Sequence, residues 1–172
     1  MKCLYPLTIL LIIWGCASTQ IKVKYNTEAD FAKFETYGWL QGNKKIENFN
    51  RVENEKLQSR LYELIDKEIS ALGYELLTEG DPDILVTYYA GVKGEVVADD
   101  EGYSYGKWYE GSKAINQEGI LVIDLIDNER QELFWRGTGS GLIDDPDQID
   151  EEVTKIIQKI FDKFPERNRE YN

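Results

Sequence analysis

The run Gly119-Ile120-Leu121-Val122-Ile123-Asp124-Leu125-Ile126-Asp127 restricts the fold more than any other part of the chain. Side chains of a strand alternate between two faces, and here apolar residues occupy both parities. Such a strand needs cover on each side or from long neighbours, which predicts a central position in a sheet. Asn128-Glu129-Arg130 supplies a turn, and Glu132 to Thr138 returns as the partner strand. Ile21, Val23 and Tyr25 alternate as a first strand. Thr36 to Leu40, Tyr74 to Leu77 and Asp83 to Val92 read as further extended segments, the last of them rich in β-branched and aromatic residues.

Two helices complete the core. Leu57, Leu61, Leu64, Ile65 and Leu72 fall at helical spacing, Ile69 broadens the apolar face, and Gly73 stands where a left-handed C′ residue belongs. Asp144-Asp145-Pro146 opens a second helix whose inner face is Ile149, Val153, Ile156, Ile157, Ile160, Phe161 and Phe164. Ala29 to Phe34 reads as a helical turn, and Gly42 to Asn50 as a polar loop. The expected class is α+β: a mostly antiparallel sheet of about five or six strands with two long helices packed on one face.

The N-terminus carries a different signal. Met1-Lys2 precedes an apolar run from Leu4 to Trp14, and eleven residues are too few to span a bilayer core, which takes roughly 20. They suit the apolar region of a signal peptide. The run ends in Ile13-Trp14-Gly15-Cys16, which resembles the bacterial lipobox, with Trp14 bulkier than usual at its position. That resemblance implies cleavage before Cys16 and acylation of its thiol. The expected organisation is a signal peptide over 1–15, a lipidated cysteine and tether over 16–24, one domain over 25–165, and a frayed charged tail over 166–172. Cys3 would leave with the leader and Cys16 would carry lipid, so the domain would keep neither thiol nor disulfide and depend on its core alone. Position 17 is alanine and not aspartate, which favours the outer membrane, with the domain facing the periplasm.

Charge and composition remove whole classes of function. The formal net charge is −12, and loss of Lys2 with the leader makes it one more negative. Such a surface repels phosphate backbones, so no nucleic-acid partner is expected. The chain has no histidine, which removes Ser-His-Asp and Cys-His catalysis and histidine-bound zinc. Ser104-Tyr105-Gly106-Lys107 has the Ser-x-x-Lys spacing but not its companion segments, and it lies in a glycine-rich stretch. The acids at Asp99-Asp100-Glu101 and Asp144-Asp145-Asp147 lack the alternating pattern of a calcium loop. No metal site and no cofactor are expected.

Two groups of residues stand out. Asp124 is ionisable within the most apolar strand, and Arg136 on the returning strand is placed to face it, as a structural ion pair. Residues 93–118 follow no period and read as a long loop or loose hairpin tip. Tyr103, Tyr105, Trp108 and Tyr109 cluster there and suit contact with a partner.

An ordered series of segments carries a family resemblance. It runs through the lipobox, Ala29-Asp30-Phe31, Thr36-Tyr37-Gly38-Trp39-Leu40, Gly73-Tyr74, and Pro82-Asp83-Ile84-Leu85-Val86-Thr87-Tyr88. It continues through Glu118-Gly119-Ile120-Leu121-Val122-Ile123-Asp124-Leu125 and Leu133-Phe134-Trp135-Arg136-Gly137 to Phe164-Pro165. The chain resembles the bacterial lipoproteins of domain of unknown function 4136. The resemblance implies a cell-envelope lipoprotein and supplies no catalytic residues. The expected function is a non-enzymatic module, held to the membrane by its lipid, that binds or organises an envelope protein or glycan through a sheet edge or the aromatic loop. The alternative is a hydrolase acting on envelope polymers through carboxylates.

Overall fold

The apolar run at 119–127 lies inside strand β8 (Glu118–Asp127), which pairs antiparallel on one side with β9 (Glu132–Leu142) and on the other with β5 (Ile84–Val92). The computed structural model describes residues 19–40, 45–46, 51–92, 96–99, 102–105, 118–142 and 149–167. Strand β1 (Gln20–Tyr25) closes one edge against β9. Beyond β5 come β2 (Thr36–Trp39) and then β4 (Glu75–Leu76), giving the order β1-β9-β8-β5-β2-β4, while the short β3 (Lys45–Ile46) also pairs with β5. A separate two-stranded hairpin joins β6 (Val96–Asp99) and β7 (Gly102–Tyr105).

The class is α+β, but the sheet is mixed. Strands β4, β2 and β5 run parallel, as do β3 and β5. Helix α1 (Arg51–Ala71) separates β2 from β4, and a chain that returns through a helix re-enters the sheet in its original direction. The segment after β4 crosses β2 at Gly38, where a Cβ would lie 2.8 Å from Pro82 Cγ and 3.3 Å from the Leu77 carbonyl oxygen. Helix α1 has 21 residues and α2 (Ile149–Phe161) has 13, so the second is shorter than expected. Among the described residues, no helix is long and apolar enough to cross a membrane.

Both helices rest on the face formed by Val86, Tyr88, Leu121, Ile123 and Trp135, all buried. Trp135 stacks on Phe161 of α2 at 5.4 Å between centroids, and Tyr88 meets Tyr62 of α1 edge-on at 5.8 Å. Helix α2 approaches closely because β9 is bare beneath it. A Cβ on Gly137 would fall 2.2 Å from Ile160 Cγ2, and one on Gly139 would fall 2.3 Å from Ile156 Cγ2. Asp66 of α1 accepts hydrogen bonds from the Tyr37 hydroxyl and the Trp39 indole, each at 3.0 Å, fixing that helix to β2. Burial is the main cause pushing the Tyr37 phenol up to about 12.

One local expectation holds and several change in detail. Gly73 takes the left-handed conformation, φ 84°, that ends α1. The segment at 29–34 forms successive turns and no helix, with Asn26 and Asp30 accepting from the backbone amides of Glu28 and Ala32. The polar segment at 42–50 contributes β3. A register shift at Leu125/Ile126 adds one residue to β9, and the result is that adjacent Phe134 and Trp135 are both buried. The tail is docked at its start: Arg167 donates to the carbonyls of Leu72, at 3.0 Å, and Phe34, and its guanidinium lies 3.8 Å from the Tyr74 ring centroid.

Candidate functional site

The pairing register gives the sheet two chemically distinct ends. At one end Gln20 lies opposite Ser140, Ser140 opposite Ile120, and Ile120 opposite Gly91. One residue further out, Gly119 faces Gly141 across β8 and β9. With no side chains there, an apolar cleft opens between sheet and helices. Leu57 and Leu61 of α1, Val153 and Ile156 of α2, and Ile120 and Leu121 of β8 line it. Among the described residues of the lining, Glu152 alone is ionisable, and it is half-buried.

The opposite end is polar. Lys33 Nζ lies 2.9 Å from Asp127 Oδ2 and 4.5 Å from the Phe34 ring centroid, between two open clefts. Asp127 also accepts from the Arg130 amide. Against its own burial, which acts to raise its pKa, these partners hold the Asp127 carboxyl below the usual carboxylate range. Asp83 accepts from the amides of Glu35 and Thr36, both at 2.9 Å, and from the Thr36 hydroxyl. It too is held low, against partial burial and the neighbouring Asp127 charge. A carboxylic general acid needs a raised pKa, the reverse of what both show. Among the described residues, no three potential metal-ligating side chains are grouped to hold an ion.

Asp124 and Arg136 face each other in register on the sheet surface away from the helices. Arg136 Nε donates to Oδ1 at 2.7 Å and its Nη2 to Oδ2 at 2.9 Å, a bidentate pair in which Asp124 is 1% exposed. Tyr103 and Tyr105 lie two positions apart on β7. Trp108, Tyr109 and Cys16 fall outside the described residues. Strand β1 begins at Gln20, inside the segment 16–24 expected as a tether. The apolar cleft and the Lys33–Asp127 contact escaped sequence reasoning. Each joins residues far apart in the chain, and no local pattern marks them.

Residues 21–166 match the family described as Domain of unknown function (DUF4136). The chain belongs to that family. The DUF4136 match covers both helices and every strand of the main sheet except Gln20 at the start of β1. No curated protein matches the chain. Among solved structures, a PDZ domain protein from Parabacteroides distasonis ATCC 8503 is similar at TM-score 0.56 and 15% identity, over 89% of this chain. This chain spans only 37% of that protein's length, and at that identity the likeness concerns the fold alone. PelC of Paraburkholderia phytofirmans, a dodecamer, aligns with TM-scores of 0.47 and 0.49 in two structures, at 11% and 10% identity. Those alignments cover 83% of this chain and 94% of PelC.

Proposed function

We propose that this DUF4136 protein is a cell-envelope lipoprotein, anchored through lipid on Cys16, whose domain binds or organises another envelope component without catalysing a reaction. The observation that carries the reading is Ile13-Trp14-Gly15-Cys16 standing only three residues before an edge strand. From Cys16 to Gln20 is four residue steps, a reach of at most about 14 Å. A domain so tethered lies close to the membrane with the Gly119–Gly141 end of its sheet foremost. The acidic end around Asp81, Asp83 and Glu129 then points away and is free to meet a partner. The aromatic group at Tyr103, Tyr105, Trp108 and Tyr109 is a second contact surface in this proposal. The β1 edge suits strand addition less well, because Lys163 Nζ donates to the Ile21 carbonyl there at 3.2 Å.

The outer membrane, with the domain in the periplasm, is the proposed residence. Cells expressing the wild type and a Cys16→Ser variant, fed labelled palmitate, test the reading. Wild-type protein should carry label and sediment with outer-membrane markers. The Cys16→Ser protein should carry none and keep its leader. Equal labelling and equal membrane association of the two would overturn the proposal.

A further inference from the structure

The two edges of the main sheet differ in charge. Among the described residues, β1 and β4 end the strand order, with no strand beyond either. Strand β1, Gln20-Ile21-Lys22-Val23-Lys24-Tyr25, has two exposed lysines and no acid. Lys163 of α2, also exposed, stands against the same edge through the Ile21 carbonyl. At the opposite edge Glu75, Glu79 and Asp81 are exposed, and no basic residue occurs from Tyr74 to Ile84. Glu35, whose carbonyl accepts from the Glu75 amide, adds a fourth exposed acid.

The exposed apolar surface falls on the same two edges. Among the described residues, the large hydrophobic side chains open to solvent are Tyr25, at 44%, Leu76, at 38%, and Leu133. Tyr25 belongs to β1 and Leu76 to β4. Both lie toward one end of the sheet. Leu76 is level with Tyr37, Ile84 and Asp127, and Tyr25 is level with Trp135 and Leu125, two residues from Asp127.

We propose that copies of this chain dock head to tail, with the lysine-bearing β1 edge of one protomer against the acidic β4 edge of the next. Lys22 and Lys24 then meet Glu75 and Glu79, and Tyr25 and Leu76 are covered in the same contact. Charges on edge strands commonly serve to keep sheets apart, and lysines on both edges would do that. Opposite signs do something different: they repel β1 from β1 and β4 from β4 while drawing β1 to β4. Two-fold pairing through either edge is disfavoured, and a heterologous contact repeats into a ring or a filament. The net charge of −12 repels copies at long range, but physiological salt screens it beyond about 8 Å, so the pattern at the edges decides. Lys163 already holds the Ile21 carbonyl, so the contact is made by side chains more than by backbone pairing. None of this depends on lipid at Cys16.

The full-length chain, purified in mild detergent and treated with a zero-length carbodiimide cross-linker, provides the test. Within one chain β1 lies five strand spacings, about 24 Å, from β4, so a link from Lys22 or Lys24 to Glu75 or Glu79 joins two copies. The expected result is such links, in species larger than dimers, declining as salt is raised before cross-linking. Lys22→Glu with Lys24→Glu should lose them and sediment as a monomer, and so should Glu75→Lys with Glu79→Lys. Mixing the two double variants should restore assembly, because each then meets an edge of opposite sign. Circular dichroism checks that both are folded, and should either fail, one chain bearing all four changes tests the same pairing. A monomer at every concentration, a dimer that grows no further, links unchanged by the reversals, or folded variants that stay apart on mixing would overturn the proposal.

Discussion

Gly137 and Gly139 show how much one missing methyl group decides. Helix α2 seats Ile160 and Ile156 in the space their side chains would fill, so the close approach of helix to sheet depends on two positions with no Cβ. Gly139→Ala should destabilise the domain by about 1–3 kcal/mol through overpacking, and the same change should cost less in a chain already carrying Ile156→Ala, which lacks the clashing Cγ2. Urea denaturation of the single and double variants measures both. At Asp124 and Arg136 the decisive quantity is desolvation. Their side chains are 1% and 15% exposed, so removing either partner strands a charge at a cost of about 3–5 kcal/mol. Asp124→Leu combined with Arg136→Met should recover much of the loss. Single variants as stable as the wild type would show that water reaches the pair.

Among the elements, the four-residue β2 ties several parts of the domain together. It lies between β4 and β5, anchors α1 through Tyr37 and Trp39 on Asp66, and has Gly38 where the returning chain crosses. Its start is tied to β5 by Asp83, which accepts from Glu35 and Thr36 while the Thr36 hydroxyl accepts from the Asp83 amide at 3.0 Å. At the far side of the same end, Asp127 ties the β8–β9 turn to Lys33. Both carboxyls titrate below their usual range in the folded protein. Their contribution is therefore complete above the unfolded value of about 3.9 and is lost as pH falls through the lower folded value. Urea midpoints measured from neutral pH downward should stay level until about pH 4 and then drop, and Asp83→Asn should make that drop shallower. An equally steep drop in Asp83→Asn would place the acid sensitivity elsewhere.

At the scale of the whole molecule, the chain's two ends brace opposite parts of the domain. Near the start, β1 forms the sheet edge beside the apolar cleft. Near the finish, Arg167 gathers the end of α1, the loop at Phe34 and the Tyr74 ring. Arg167→Ala should lower stability by about 1–3 kcal/mol, the scale for charged hydrogen bonds to carbonyls. Arg167→Lys should restore only part, since one ammonium cannot bridge two carbonyls and also lie flat on a ring. Thermal melting of the two variants orders them, and equal melting of Arg167→Ala and wild type would show the contact contributes nothing.

What the sequence determined by itself is local. The strands around 84–92, 118–127 and 132–138 follow from runs of apolar, β-branched and aromatic residues, and the two helices from a period of 3.6, signals that act over neighbouring residues. The turn between β8 and β9 and the left-handed Gly73 follow from residue chemistry within a few positions. Only the tertiary structure decided the rest. The parallel pairing of β4, β2 and β5 depends on where α1 lets the chain return, and periodicity within a strand does not encode its neighbour. The burial of Phe134 and Trp135 side by side depends on a register shift that the partner strand selects. The apolar cleft needs Leu57, Ile120 and Val153 brought together from three elements. Arg167, polar in a polar stretch, reads as solvated tail until two carbonyls from distant loops meet it. Local period is a property of one segment's dihedral angles; these features are distances between segments, and burial of the shared core sets them.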